Sequence, residues 1–211
     1  MRFLITAGPT REFLDPVRFL SNRSTGKMGY AVAESALRRK HGVTLISGPV
    51  ALAEPKGARV VGVVSAREML AAVKRHLPHC DALVMCAAVA DWRPAKKAAT
   101  KLKKRTMAPV MALVPNPDIL LAVRAKKGRR LFVGFAAETG RMEAEARDKL
   151  RRKGLDMIVA NDIRRKDAGF EADTNRVALI TVERTIRLPL MSKRDVGKRI
   201  VEWCEGRSQE R

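Results

Sequence analysis

Short apolar blocks recur along the first three quarters of the chain, and each has the length of a β-strand. They are rich in Val, Ile, Leu and Phe, and helix-like spacing is absent within them. We predict six strands from these blocks, over residues 3–6, 43–46, 60–64, 82–86, 131–135 and 157–160.

Amphipathic helical patterns fall between most of the apolar blocks. Apolar residues lie about three and four positions apart over residues 27–39, 66–77, 117–126 and 142–152, with polar residues between them. Strands that alternate with helices pair in parallel, because each helix returns the chain to the same end of the sheet. The pattern predicts an α/β fold of three layers, with a doubly wound, Rossmann-like and mostly parallel sheet.

The last quarter of the chain follows a different pattern. Residues 177–182 and 186–190 are two β-type segments separated by a three-residue polar turn, which predicts an antiparallel β-hairpin at about residues 170–190. Ser192 is followed three residues later by Asp195, the spacing of a helix N-cap, so a closing helix is expected to begin there. Because no long linker interrupts the chain, we expect one domain over residues 1–211.

A basic segment between the fourth and fifth predicted strands has no apolar period. Lysines and arginines make up six of the thirteen residues from 94 to 106. A polar, charged loop of this length is typical of a lid over an active site, so residues 94–108 are predicted to form a mobile lid.

Composition narrows the class of protein. A hydrophobic fraction of 46% excludes a disordered chain, and no apolar run approaches the roughly 18 to 20 residues that a membrane span requires. The first residues lack a secretory signal pattern, which favours the cytoplasm. The 43 Lys and Arg against 22 Asp and Glu give a net charge of +21, which suits nucleic acid, anionic membranes or phosphorylated small molecules alike.

Candidate chemistry begins where the first strand leads into the first helix. Gly26 and Gly29 allow the backbone to approach an anion, and the helix N-terminus adds unpaired N–H groups. The pair lacks the full dinucleotide-binding spacing, so ordinary turn glycines remain the alternative. Five polar side chains crowd the same stretch and favour a binding site: Arg11, Arg18, Asn22, Arg23 and Lys27.

Other strand ends carry polar groups as well. Asp91 follows the fourth predicted strand, where open α/β sheets bind ligands, although a helix cap or turn is the alternative for it. The lid lysines could neutralise a polyphosphate, and a solvated or nucleic-acid-binding charge run is the alternative for them. Further polar groups lie before a predicted helix, at residues 114–118, and at the ends of two predicted strands, at residues 133–139 and 160–162.

Taken together, these segments resemble the phosphopantothenoylcysteine synthetase family. Nine blocks carry the resemblance in chain order: ITAGPTRE at 5–12, DPVR at 15–18, SN at 21–22, GKMG at 26–29, AAVAD at 87–91, KLKK at 101–104, NPD at 116–118, GFAAE at 134–138 and AND at 160–162. The resemblance implies that CTP activates the carboxylate of 4′-phosphopantothenate as an acyl-cytidylate and releases pyrophosphate. The amine of L-cysteine then displaces CMP and gives 4′-phosphopantothenoylcysteine.

The resemblance also implies roles for individual residues. In the catalytic role it places Asn22, Arg18 and Lys101. In CTP binding it places Gly8, Ala87, Asp91, Lys101, Pro115, Asn116, Pro117, Asp118, Phe135, Lys149 and Lys153. In binding of the substrate or the intermediate it places Asn22, Ala88, Lys103, Lys104 and Asn161, and Asp91 is the one residue implied to hold a metal, directly or indirectly.

Cofactors and partners follow from the same resemblance. It implies Mg²⁺ or Mn²⁺, CTP as co-substrate, and a homodimer formed through the C-terminal hairpin. The expected protein partner is a phosphopantothenoylcysteine decarboxylase, either fused or separate. The chain is expected to be a free-standing synthetase or an excised domain. It is expected to bind no flavin, nucleic acid or membrane.

Two other functions stay open at this stage. An NAD(P)-binding oxidoreductase would also use a strand, a glycine loop and a helix, but Tyr30 is the only tyrosine and no Tyr-x-x-x-Lys pair occurs. A basic nucleic-acid-binding domain fits the charge, but aromatic residues are only 4% of the chain and form no cluster for stacking.

Overall fold

A computed structural model describes residues 1–105, 110–138, 142–162 and 172–210. In chain order the strands are β1 Arg2–Ala7, β2 Arg11–Phe13, β3 Phe19–Ser21, β4 Gly42–Ser47, β5 Arg59–Gly62, β6 Ala82–Met85, β7 Trp92–Pro94, β8 Leu113–Pro115, β9 Leu131–Glu138, β10 Met157–Asp162, β11 Thr174–Asn175, β12 Val177–Ile180, β13 Thr185–Arg187 and β14 Met191–Ser192. The α-helices are α1 Lys27–Arg38, α2 Ala66–His76, α3 Ile119–Val123, α4 Met142–Lys153 and α5 Lys193–Gln209. Short 3₁₀ helices follow α2 at Leu77–His79 and α3 at Arg124–Lys126.

Eight strands form the central sheet, in the order β13-β12-β10-β9-β6-β1-β4-β5. The six strands from β10 to β5 are parallel, and β12 and β13 add an antiparallel hairpin at one edge. All six strands predicted from the apolar blocks are present, within three residues at each end. The predicted doubly wound, mostly parallel sheet with a C-terminal hairpin is therefore confirmed.

Helices cover both faces of the sheet and make three layers. On one face α1 and α5 bury Val32 and Ile200 against β1 and its neighbours. On the other face α2, α3 and α4 bury Met69, Leu120 and Leu150. Strands buried on both faces read as continuous apolar runs, which explains why the sequence shows them so clearly.

The closing helix begins as its sequence predicts. The Ser192 hydroxyl accepts a hydrogen bond from the backbone N–H of Asp195 at 3.1 Å, so α5 has a side-chain cap at its first turn. The predicted helix over 117–126 is shorter, because Asp118 caps α3 by accepting from the N–H of Leu121 and a 3₁₀ turn follows Val123.

Three pairs of short strands are absent from the sequence prediction. The stretch after β1 forms the β2–β3 hairpin, and β7 pairs with β8 at the base of the basic segment. The segment predicted as a lid, 94–108, therefore begins at the end of β7 in the β7–β8 hairpin. Its residues 106–108 lie outside the described residues. Strands of two or three residues are too short to show a two-residue period.

Two further expectations concern the C-terminal hairpin and the membrane. β12 and β13 form the predicted hairpin. Residues 170–171, at the start of its predicted range, lie outside the described residues. The role of the hairpin in dimerisation stays a prediction. Within the described ranges, no helix is both long and apolar enough to cross a bilayer.

Candidate functional site

A cleft of about 530 Å³ opens at the carboxyl ends of the parallel strands. It lies where the order of strands reverses: β1 pairs with β4 on one side and with β6 on the other. Loops on the two sides of such a point run in opposite directions and leave a crevice between them. Its volume is in the range of small-molecule sites.

The floor of the cleft is the small-residue segment that follows β6. The backbone N–H of Ala87 donates to the hydroxyl of Thr6 at 3.1 Å, and the N–H of Ala88 donates to the carbonyl of Gly8 at 2.9 Å. Gly8 has a φ of 75° and lies behind this floor rather than in the cleft lining. It therefore supports the segment that carries Ala87 and Ala88.

The N-terminus of α1 forms one wall. Its N-cap is Gly26, which has a left-handed φ of 80° and provides no side-chain cap for the N–H groups of the first turn. Gly29 packs directly on β1: an added Cβ would lie 2.6 Å from the Cβ of Ala7. The first turn of α1 is thus pressed against the sheet and presents its positive end to the cleft, as an anion site requires.

Asn22 is fixed by the same floor. Its amide nitrogen donates to the carbonyl oxygens of Ala88 at 3.2 Å and Val89 at 3.1 Å. These two acceptors define which end of the amide is nitrogen, because two carbonyl oxygens cannot face the amide oxygen. The oxygen of Asn22 is left as the atom that can accept a hydrogen bond from a ligand.

The opposite wall carries a carboxylate, an amide and a lysine. The amide nitrogen of Asn116 donates to the carbonyl of Ala90 at 2.9 Å, which joins this wall to the floor. The carboxylate of Asp118 lies 2.9 Å from the ammonium of Lys153, and both side chains are partly exposed. Phe135 and Lys149 line the cleft beside them.

The basic segment is held beside the cleft by Asp15. This buried carboxylate accepts hydrogen bonds from the backbone N–H groups of Val17 and Arg18, each at 2.8 Å, and from that of Leu102 at 3.1 Å. Burial disfavours its charge, but these donors and the guanidinium of Arg18 outweigh that cost and hold the pKa of Asp15 well below its usual value. Arg18 also donates to the carbonyl of Leu102.

Most of the residues implied by the family resemblance meet in this cleft. Those that line it are Asn22, Ala87, Ala88, Asp91, Asn116, Pro117, Asp118, Phe135, Lys149, Lys153 and Asn161. Those that do not line it are Gly8, Arg18, Lys101, Lys103, Lys104 and Pro115. Lys101, Lys103 and Lys104 are exposed, and Arg18 contacts the basic segment directly, at the carbonyl of Leu102, and through Asp15.

Metal-binding groups are sparse around the cleft. Among the described residues no cluster of three His, Cys, Asp or Glu side chains occurs. Asp91 is an exposed carboxylate at the cleft, the type of oxygen ligand that Mg²⁺ uses together with substrate phosphates. The donor set therefore fits a Mg²⁺ ion held between one carboxylate and a nucleotide. The thiol of Cys86 lines the cleft, but burial raises its pKa to about 12, so it stays protonated.

Among the residues that line the cleft, sequence reasoning missed two buried polar ones, Asn175 and Lys193. Both are buried, with exposures of 3% and 5%. They come from β11 and from the first position of α5, which the two-residue pairing of β11 with β14 brings to the sheet. The available sequence signal was a lysine directly after the Ser192 cap, because a cation is unfavourable at the start of a helix.

A doubly wound α/β sheet with a cationic cleft at its switch point places this chain in the class of α/β domains whose architecture suits phosphorylated ligands. The chain belongs to the family described as DNA/pantothenate metabolism flavoprotein C-terminal domain, which matches residues 1–206. The resemblance inferred from nine sequence blocks is thereby confirmed at the level of the family.

Three relatives have the name coenzyme A biosynthesis bifunctional protein CoaBC. The chain is 46% identical to the Vibrio parahaemolyticus protein over 202 residues, which are 94% of this chain and 51% of that protein. It is 44% identical to the Escherichia coli K12 protein over 215 residues, 100% of this chain and 53% of that protein. For Bacillus subtilis the identity is 48% over 201 residues, 94% of this chain and 50% of that protein. The chain thus spans about half the length of these relatives.

Solved structures agree with this relationship. A crystal structure of the C-terminal domain of CoaBC superimposes with a TM-score of 0.86 at 41% identity, covering 100% of this chain and 96% of that one. A point mutant of Cab2 in complex with phosphopantothenate-cysteine has a TM-score of 0.79 at 17% identity, covering 99% of this chain and 86% of that one, and shares the fold.

Proposed function

We propose that this chain is a phosphopantothenate–cysteine ligase of coenzyme A biosynthesis. CTP activates the carboxylate of 4′-phosphopantothenate, and L-cysteine completes the amide. The observation that carries the proposal is the single cleft that unites the fixed amide of Asn22, the helix N-terminus at Gly26 and the Asp118–Lys153 pair. The family match over residues 1–206 supports it.

The first step joins two polyanions, so the site must offset their repulsion. An oxygen of the substrate carboxylate bonds to the α-phosphorus of CTP, and the bond from that phosphorus to the β-phosphate oxygen breaks, which releases pyrophosphate. The N–H groups at the start of α1 and the ammonium groups of Lys149 and Lys153 would stabilise the phosphates. Mg²⁺ held by Asp91 and the phosphates would supply additional positive charge.

The second step needs positioning more than proton transfer by a titrating side chain. The amine of cysteine attacks the acyl carbon, the bond to the CMP oxygen breaks, and the amine loses one proton. The oxygen of Asn22 can accept a hydrogen bond from that amine, because the nitrogen of the same amide is held by Ala88 and Val89. Asn22 thus orients the nucleophile.

The lid completes the site when substrate is bound. Asp15 and Arg18 hold the backbone of Leu102, the neighbour of Lys101, which supports a lid that closes from this anchored point. Closure of the lid lysines over the intermediate would add charge and exclude water.

The proposal also includes two protein partners. One is a second copy of this chain, bound through the β12–β13 hairpin, and the other is a phosphopantothenoylcysteine decarboxylase.

Pyrophosphate release tests this function directly. The purified chain is incubated with 4′-phosphopantothenate, Mg²⁺ and each of CTP, ATP, GTP and UTP, with and without L-cysteine. We expect release with CTP only when 4′-phosphopantothenate is present, and CMP together with the cysteine amide once cysteine is added. No release with any nucleotide by the folded protein would refute the proposal.

Two binding measurements, run beside this assay, distinguish the two alternative functions from the proposed one. An oxidoreductase would bind NAD(H) in a fluorescence titration and release no pyrophosphate. A nucleic-acid-binding domain would bind oligonucleotides with an affinity that falls steeply with salt. We expect neither result at concentrations that saturate CTP binding.

A further inference from the structure

Two helices begin with a lysine on the same side of the cleft. α1 starts at Lys27 and α5 at Lys193, and both residues line the cleft. The helices run in the same direction: Gly197 packs on the carbonyl oxygen of Ala31, and eight residues further along in each case Arg39 forms an ion pair with Glu205. Their positive ends therefore converge on one part of the cleft.

A lysine at the first position of a helix is locally unfavourable. Acidic side chains stabilise the N-terminus, whereas a cation there is repelled by the helix dipole. Lys193 adds a second cost, because it is only 5% exposed. Its burial and then the nearby charge of Lys27 lower the pKa of Lys193 below its usual value. Residues that break local rules in this way are typical of functional sites.

The backbone fixes Lys193 at the cleft. Thr174 pairs with Ser192, and the N–H of Lys193 donates to the carbonyl of Asp173 at 2.9 Å. A few residues along, Asn161 on β10 pairs with Val177 on β12. These pairings bring Asn161 and Lys193 into the lining of the same cleft.

Asn161 gives independent support for a ligand here. Its side-chain oxygen is buried, the residue is 9% exposed, and no described residue donates a hydrogen bond to that oxygen. A buried acceptor without a donor is unfavourable, so an arriving hydroxyl or N–H donor would be favoured. Phosphate esters that carry hydroxyl groups supply both an anion for the lysines and a donor for Asn161.

We propose that Lys193, together with Lys27, binds a phosphate group of a substrate on this side of the cleft. The inference rests on the proposed function and adds Lys193 to its binding residues. The ammonium of Lys27 now lies 2.7 Å from the exposed carboxylate of Asp173, and a bound phosphate would compete with that carboxylate. The phosphate belongs either to the nucleotide or to 4′-phosphopantothenate.

Steady-state kinetics of Lys193→Met tests the inference and identifies the source of the phosphate. Lys198→Met is the matched control, because Lys198 lies on the same helix with a side chain that is 60% exposed. We expect KM to rise about 10- to 100-fold for one substrate, the loss of one hydrogen bond to a charged group. A rise for CTP assigns the triphosphate, and a rise for 4′-phosphopantothenate assigns the other phosphate. Unchanged values for both substrates would overturn the inference.

A second measurement uses the wild-type protein and so does not depend on how the variant folds. Lysine Cε resonances are followed by NMR during titrations with pyrophosphate and, separately, with 4′-phosphopantothenate. We expect the Lys193 and Lys27 signals to shift with one of the two ligands, while Lys198 stays constant. No shift of Lys193 with either ligand would contradict the inference.

These outcomes remain distinct from a failure of the proposed function. Absence of turnover by the wild-type protein with every nucleotide refutes the function. Normal wild-type turnover, with Lys193→Met equal to wild type in both KM values, refutes only the role of Lys193. We also expect Lys193→Arg, which keeps the charge, to recover part of the lost affinity, whereas a purely structural role would not favour arginine over methionine.

Discussion

The backbone N–H of Leu102 donates a hydrogen bond to the carboxylate of Asp15 at 3.1 Å, across 87 positions of the chain. Asp15 is fully buried, and the same oxygen also accepts from Arg18. One carboxylate therefore joins the turn after β2 to the basic segment next to the cleft. The position of Lys101 depends on this joint, because Lys101 is the immediate neighbour of Leu102.

We expect Asp15→Asn to weaken the lid without touching substrate. An amide keeps one acceptor oxygen, so its NH2 group must face the donors of one of the two original oxygens: either the backbone N–H groups of Val17 and Arg18, or the N–H of Leu102 and the guanidinium of Arg18. Either arrangement loosens the joint that holds Leu102. The predicted result is a fall of kcat/KM on the order of 10- to 100-fold, the range that misplaced active-site groups can cost. Pyrophosphate release gives the rate. Arg2 is an exposed residue at the amino end of β1, where it pairs with Asp81, while the cleft lies at the carboxyl end of that strand. It provides the control Arg2→Gln, which should leave the rate unchanged.

The acid stability of the protein should report the ionised state of Asp15. The folded-state pKa of this carboxyl lies below its usual value of about 3.9, so its contribution to stability is complete above that pH. The contribution is lost progressively as the pH falls from about 4 towards the lower folded pKa. Urea unfolding of wild type and Asp15→Asn between pH 7 and pH 3 should give a difference that is constant above pH 5 and shrinks below pH 4. A constant difference throughout would contradict this prediction.

Asn22→Asp should separate the two half-reactions. The new carboxylate faces the carbonyl oxygens of Ala88 and Val89, where the amide nitrogen now donates, so repulsion displaces the side chain. We expect the acyl-cytidylate to form and pyrophosphate to be released once, while attack by cysteine slows at least about 100-fold. Rapid-quench analysis with labelled CTP measures both steps. Turnover at the wild-type rate would remove Asn22 from the second step.

Lys101→Gln should affect the step that Asn22→Asp spares. Lys101 is exposed next to the segment held by Asp15, and its charge is expected to act on the phosphates only when the lid closes. We predict that pyrophosphate is released more slowly in the first turnover. We also predict that this rate depends less on salt concentration than the rate of the wild-type protein does. Lys126→Gln, an exposed lysine in the 3₁₀ turn after α3, serves as the charge-matched control.

Gly29→Ala should disturb both stability and binding. The added methyl group would lie 2.6 Å from the Cβ of Ala7 and 3.0 Å from the carbonyl oxygen of Thr6, so α1 must move away from β1. Overpacking of this kind costs about 1–3 kcal/mol and also shifts the anion-binding turn. Thermal unfolding and CTP titration measure the two effects. Gly206→Ala on α5, where a Cβ meets nothing within 4 Å, should instead be neutral or stabilising.

The long elements of the fold were predictable because each is buried in a regular way. The doubly buried strands, the periodic helices and the Ser192 cap have local signals, and the strand-end position of Asp91 follows from the sheet. The position of the basic segment could not be predicted from the sequence, because its attachment to Asp15 is a contact between residues that are distant in the chain. Lys193 was missed for the same reason: only the two-residue pairing of β11 with β14 brings it to the cleft.

The packing of α1 against α5 also sets an order for folding. The hydroxyl of Ser35 donates to the carbonyl of Arg194, 159 positions later, and Gly197 packs closely on the carbonyl of Ala31. Contacts between such distant residues form slowly, because a long loop must close first. During synthesis on the ribosome, the side of α1 that packs on α5 must stay uncovered until α5 emerges. The same late event delivers Lys193, so a nascent chain gains this wall of its cleft only when it gains the last layer of its core.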